Sequence, residues 1–127
     1  MEKNTSHEIR HIGTECVWVY AENAPVIAHE HDASTLISQA YEYQASWLAL
    51  SVNSLTEDFF RLSTGLAGAI VQKLVNYRLK LAIVGDVTPW VERSNPFRDL
   101  VLEANGGNTF WFVPNLEVLE QRLIALH

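Results

Sequence analysis

Residues 47–86 read WLALSVNSLTEDFFRLSTGLAGAIVQKLVNYRLKLAIVGD, two apolar runs on either side of a helical middle. Trp47-Leu48-Ala49-Leu50-Ser51-Val52 is too short for an independent helix and sits between turn signals, so it reads as a buried strand. Leu79 to Val84 is a second apolar strand, stopped by Gly85-Asp86, and Pro89 forbids its simple continuation. Between them Thr64-Gly65-Leu66-Ala67-Gly68 opens a helix. Leu66, Ile70, Leu74 and Tyr77 recur along one face of it, with Lys73 and Arg78 near its C-terminal end. Thr56 with Glu57 to Arg61 precedes it as a short, exposed helical turn. A strand, a helix and a strand in that order call for a right-handed parallel crossover.

The same alternation extends in both directions. Downstream, Pro96 suits the first turn of a helix running to Ala104, which Asn105-Gly106-Gly107 terminates. Thr109 to Val113 is the last strand, and Asn115 caps a closing helix with Leu116, Leu119, Leu123 and Leu126 on its buried side. Upstream, Ser34 caps a helix that places Leu36, Ile37, Ala40 and Tyr41 on one side and ends near Gln44. Glu22 to Asp32 is a polar loop, and Glu8 to Ile12 with Cys16 to Ala21 form a hairpin around Gly13. Residues 1–7 are expected to be a frayed start. The order is β-β-α-β-α-β-α-β-α, which predicts a single α/β domain with a mixed, mostly parallel sheet of about five strands and helices packed against it.

With 127 residues, 48% of them hydrophobic and 19% charged, the chain is long enough for one core and too apolar for a disordered tail. The net charge of −6 and the lack of any Lys/Arg run argue against nucleic acid as a partner. Cys16 stands alone, which rules out an internal disulfide and suits a reducing compartment; it is expected as a buried small hydrophobe rather than a nucleophile. Met1 to Arg10 is polar, and the longest apolar runs are too short to span a bilayer, so a cytoplasmic protein without a membrane partner is expected. Trp18, Trp47 and Trp111 fall in strands and are expected in the core. Trp90, between Pro89 and charged Glu92 and Arg93, is expected to be partly exposed, beside a ligand pocket or a dimer contact.

The block Glu57-Asp58-Phe59-Phe60-Arg61-Leu62-Ser63-Thr64-Gly65-Leu66-Ala67-Gly68 is the most specific feature of the chain. Together with Asn76-Tyr77-Arg78, Leu81 to Asp86, Arg98-Asp99 and Glu103-Ala104-Asn105, it resembles a small bacterial family catalogued as domain of unknown function 4180. The same stretch more distantly resembles the STAS domain of anti-sigma-factor antagonists, where a buried strand leads to a Ser-Ser-Gly-Leu-Gly type turn that opens a helix. That resemblance implies a switch protein whose turn serine is phosphorylated by a partner kinase and whose surrounding surface docks that partner. By position the serine is Ser63, with Thr64 beside it; Leu62 stands where the family has an acidic residue, and Glu57 to Arg61 is extra or rearranged turn.

From the residues themselves, a helix N-terminus with unpaired amides and a positive dipole end could hold a phosphate or carboxylate at Ser63 to Gly68. The plainer reading has Ser63 or Thr64 capping the helix, with Gly65 and Gly68 allowing tight packing on the sheet. Glu57, Asp58 and Arg61 are an acid, a base and an anion clamp in principle, and a solvated turn in the plainer view. Of Phe59 and Phe60, one is expected to plug the core and the other to be exposed as a docking anchor. Asp86 either joins the Ser63 site at the sheet edge or makes an Asx turn before Pro89. His29-Glu30-His31-Asp32 lacks the further ligands and spacing of a zinc site.

No catalytic set, metal or cofactor is therefore expected. The leading expectation is a non-enzymatic regulatory or protein-interaction domain that docks a partner around Ser63, Thr64, Gly65, Phe59, Phe60, Arg61, Asp86 and Trp90. The alternative is a small-molecule binding protein or small enzyme with a site at the strand ends near Glu57, Asp58, Arg61 and Asp86. An oligomeric scaffold without a site is the third, so the partners in view are another protein, a second copy of the chain, or a small ligand.

Overall fold

β1 (Glu8–Ile12) and β2 (Glu15–Val19) pair antiparallel across a turn in which Gly13 takes φ +62°. The computed structural model describes residues 7–126, so all of the expected frayed start except His7 lies outside the described residues. β3 (Trp47–Ser51), β4 (Lys80–Val84) and β5 (Phe110–Val113) then add in sequence order, each parallel to its neighbour. Among the described residues the result is a five-stranded mixed sheet, mostly parallel, with Ser51 beside Val84 and Val84 beside Val113 at its C-terminal edge. Successive parallel strands are reached through α1 (Asp32–Tyr43), α3 (Leu66–Asn76) and α5 (Asn95–Gly106), and α6 (Leu116–Ala125) closes the chain. The fold is thus the α/β domain read from the strand and helix order.

Because side chains alternate across a strand, each strand feeds two separate cores. Trp18, Leu48, Leu50, Leu81, Ile83, Phe110 and Phe112 face one side, where Leu36 of α1, Ile70 and Leu74 of α3 and Phe97 of α5 cover them. Val17, Trp47, Ala49, Ala82, Trp111 and Val113 face the other, covered by Leu119 and Leu123 of α6 alone among the helices. The three strand tryptophans are fully buried as expected, and the Trp47 and Trp111 rings lie 4.5 Å apart. Arg122 of α6 sits 4.0 Å over Trp111 and donates to the Asn105 carbonyl at 2.9 Å, which fastens α6 to the last turn of α5 and to β5. Asn115 caps α6 by accepting from the Val118 amide, as its position predicted. No helix among the described residues is long and apolar enough to cross a membrane.

Several local expectations are corrected. α1 starts at Asp32, not after Ser34, because the carbonyls of His29, Glu30 and His31 already accept turn bonds from Asp32, Ala33 and Ser34. Asp32 accepts from the Ala28 and His29 amides, and those backbone hydrogen bonds hold its carboxylate below the usual range. Tyr41 and Tyr77, expected on buried faces, are 84% and 65% exposed; Leu126 is likewise exposed, and Leu66 and Leu116 are half-buried. β4 stops at Val84 and does not continue through Pro89, as expected. The short helix that follows, α4 (Thr88–Arg93), was not expected from the sequence; Pro89 occupies its first turn, where a missing amide proton costs nothing. Cys16 is half-buried rather than buried; its thiol donates to the Tyr43 carbonyl at 3.7 Å, and burial pushes its pKa up, away from nucleophilic reactivity.

His7, expected in the frayed start, is anchored. Its ring centroid lies 5.3 Å from Trp18 and 5.2 Å from Tyr20, and its Nδ1 accepts from the Ala21 amide at 3.0 Å. An accepting Nδ1 requires the neutral ring, and burial lowers the pKa below the ordinary 6.5. The unfolded chain then binds the proton more readily, so His7 contributes stability that is lost as pH falls through and below about 6.5. Urea unfolding between about pH 7.5 and 5.5 is expected to show that loss, and His7→Phe, which keeps the ring and cannot be protonated, to flatten it.

Candidate functional site

Beyond β3 the chain makes a single turn over Val52–Ser54, in which Ser51 Oγ accepts from the Asn53 amide, and then the four-residue α2 (Glu57–Phe60). Both phenylalanines of α2 are buried, Phe59 fully and Phe60 at 4% exposure, so neither is an exposed docking anchor. The correction has a packing cause. Phe60 fills the space between α2, α4 and α5, stacked on Trp90 at 5.1 Å and 9° and edge-on to Phe97 at 6.0 Å. The aromatic group left at the surface is Trp90, half-buried as expected, with the Arg93 guanidinium 5.0 Å from its ring.

The next turn, Leu62–Thr64, ends at Gly65, whose φ of +76° lies in the left-handed region that favours glycine. Here the two hydroxyls separate. Thr64 Oγ1 accepts from the Leu66 amide at 3.2 Å at the start of α3 and lies within donating distance of the Asp58 and Arg61 carbonyls, at 2.7 and 2.8 Å. Ser63 is exposed and makes no hydrogen bond among the described residues. Thr64 therefore holds the turn that leads into α3, whose N-cap is Gly65, and Ser63 is spare. Gly68 is not needed for tight packing, since a Cβ there would meet nothing within 4 Å. Thr64→Ala removes the hydrogen bonds of its hydroxyl and is expected to cost about 1 kcal/mol, whereas Ser63→Ala should stay within about 0.5 kcal/mol of the native chain in denaturant unfolding.

Ser63 and Arg61 form one wall of a notch of about 670 Å³, and Trp90, Arg93, Ser94 and Pro96 form the other. The turn between α2 and α3 presents the first wall; the junction of α4 with α5 presents the second, with Ser94 Oγ capping α5 through the Phe97 amide. Glu57 and Asp58 are exposed on α2; Glu57 lies 3.4 Å from Arg61 across one helical turn, an exposed pair that constrains little. Asp86 does not line the notch. Its Oδ1 accepts from the Thr88 amide at 2.9 Å, the Asx-type closure before Pro89, and hydrogen bonds from the Thr88 hydroxyl and amide lower its pKa. The structure thus brings Arg61, Ser63 and Trp90 together, backs them with Phe60, and leaves Asp86 apart.

The His29 and His31 rings stack at 5.4 Å and 6° on the turn into α1, and no group of three or more metal-ligating side chains occurs among the described residues. Sequence reasoning missed Arg93, Ser94 and Pro96, which are some thirty positions from Ser63 and meet it only through the fold. It also missed an apolar groove of about 600 Å³ between α3 and α5, lined by Gly68, Val71, Val75, Leu100 and Phe110. The spacing of Gly68, Val71 and Val75, three and four residues apart, was the available signal.

A family model described as a domain of unknown function, DUF4180, matches residues 12–123, most of the chain. No curated protein and no solved structure matches it.

Proposed function

The chain belongs to the DUF4180 family, and we propose that it is a non-enzymatic regulatory domain of STAS-like type that docks a protein partner on the face around Ser63. The observation that carries this reading is the division of labour between two adjacent hydroxyls. Thr64 holds the turn, and Ser63 stands exposed, without a hydrogen bond among the described residues, at the mouth of a notch rimmed by Trp90 and two arginines. A residue in that position can gain a charged group without breaking a structural bond. Added charge would then act on docking, by engaging the Arg61 and Arg93 guanidiniums that otherwise face the partner, rather than on the fold. The alternative of a small-molecule site near Glu57, Asp58, Arg61 and Asp86 finds less support, because Asp86 closes its own turn and does not line the notch that Arg61 lines.

The test is capture from a lysate of the source cells with immobilised native protein, Ser63→Ala and Ser63→Asp. One protein retained by the native chain and by Ser63→Ala, and lost with Ser63→Asp, is the expected pattern. Equal retention by all three would remove the Ser63 face as the docking face.

A further inference from the structure

Asp and Glu outnumber Lys and Arg on this chain by 15 to 9, so two arginines facing one cavity stand out against the overall charge. No carboxylate of the described residues lines the Ser63 notch, whereas Glu103 lines the groove between α3 and α5. Arg93 has no ion-pair partner among the described residues and is held against the Trp90 ring at 5.0 Å, a contact that orients the guanidinium without consuming its donors. Arg61 has only the exposed, long contact to Glu57. Ser63 adds a free hydroxyl donor. The 12-residue α5 begins at the notch wall, so the positive end of its dipole lies there as well.

Two forked cations, a hydroxyl and a helix start line the notch, and Glu57 reaches Arg61 only through a long, exposed pair. Together these donors suit a ligand of concentrated negative charge and several acceptor oxygens. We propose that the notch binds a phosphoryl group, gripped by Arg61 and Arg93, with the Ser63 hydroxyl donating a further bond. The assignment rests on the reading of this face as the docking face and names the chemistry that the partner presents there. The group arrives either on a phosphorylated side chain of the partner or as a free phosphate ion. Charge placed on Ser63 competes for the same two guanidiniums, which gives Ser63→Asp a direct means of ejecting the ligand.

The experiment is a heteronuclear NMR titration of the native protein, Arg93→Gln and Arg61→Gln with inorganic phosphate, with a serine-phosphorylated peptide and with its unphosphorylated form. Phosphate is expected to shift the Trp90 indole and the Ser63 and Ser94 amides, with affinity weakened about tenfold by each arginine substitution. Tighter binding of the phosphopeptide than of free phosphate identifies a partner side chain as the source, and equal binding identifies the free ion. Absence of shifts at these positions, or shifts unchanged in both variants, overturns the assignment. If a partner is still captured in a manner sensitive to Ser63→Asp, that result leaves the docking face intact and removes only its phosphoryl chemistry. Phosphate binding without such a partner removes the docking face and leaves the anion site.

Discussion

Gly85→Ala is expected to destabilise the protein by about 3 kcal/mol, since it adds overpacking to left-handed backbone strain. Gly85 follows β4 at φ +137°, and an added Cβ would lie 2.7 Å from Val52 Cγ2 and 3.1 Å from Cγ1. The approach is set by the register. Ser51 and Val84 are neighbours at the ends of β3 and β4, so the residues that follow them, Val52 and Gly85, leave the sheet side by side. The Gly85 amide also donates to the Val113 carbonyl at 2.9 Å, which prevents the chain from swinging clear. Val52→Ala in the same chain removes the clashing methyls and should restore part of the loss, the backbone strain remaining. Urea unfolding of the single and double variants measures both parts, and a loss below about 1 kcal/mol for Gly85→Ala would contradict the packing described.

Phe60→Ala is expected to cost about 3–5 kcal/mol. The ring is 4% exposed and touches Phe59, Trp90 and Phe97, so its removal leaves a cavity between α2, α4 and α5. Trp90 would lose its stacked neighbour and become more solvated, which its fluorescence emission should report as a red shift. Phe60→Leu keeps much of the volume and should cost less, about 1.5 kcal/mol. An effect within about 0.5 kcal/mol for Phe60→Ala is what an exposed docking anchor would give, and it would reverse the correction made above.

The contrast between these two positions shows what was legible in the sequence. Leu48 to Val52, Leu79 to Val84 and Thr109 to Val113 could be read as strands because a short apolar run between turn signals has few other fates, and Gly85 could be read as a strand stop. Its contact with Val52 could not, because that depends on the pairing of β3 with β4. Local chemistry also fixed Asn115 as a cap, yet it misplaced the start of α1, where three backbone carbonyls and the Asp32 carboxylate outcompeted Ser34. The Ser63 turn was found from its glycines. Which hydroxyl held it, and which arginine faced it across the notch, followed only from the meeting of α2, α3, α4 and α5. Phe59 and Phe60 were misjudged for the same reason, since adjacent aromatic residues on a four-residue helix can both be buried once α4 and α5 pack over them.

The central claim, that the partner meets the Ser63 face, is tested most directly by site-specific photo-crosslinking in the source cells. A photoreactive amino acid replaces Ser63 in one chain and Tyr77 in another. Both positions are exposed, and they flank opposite ends of the 11-residue α3, which is about 16 Å long. Neither side chain caps or packs α3, so both chains should fold. The account predicts a crosslinked partner of defined mass from position 63 and none from position 77, and the same crosslink from position 77 alone would contradict it.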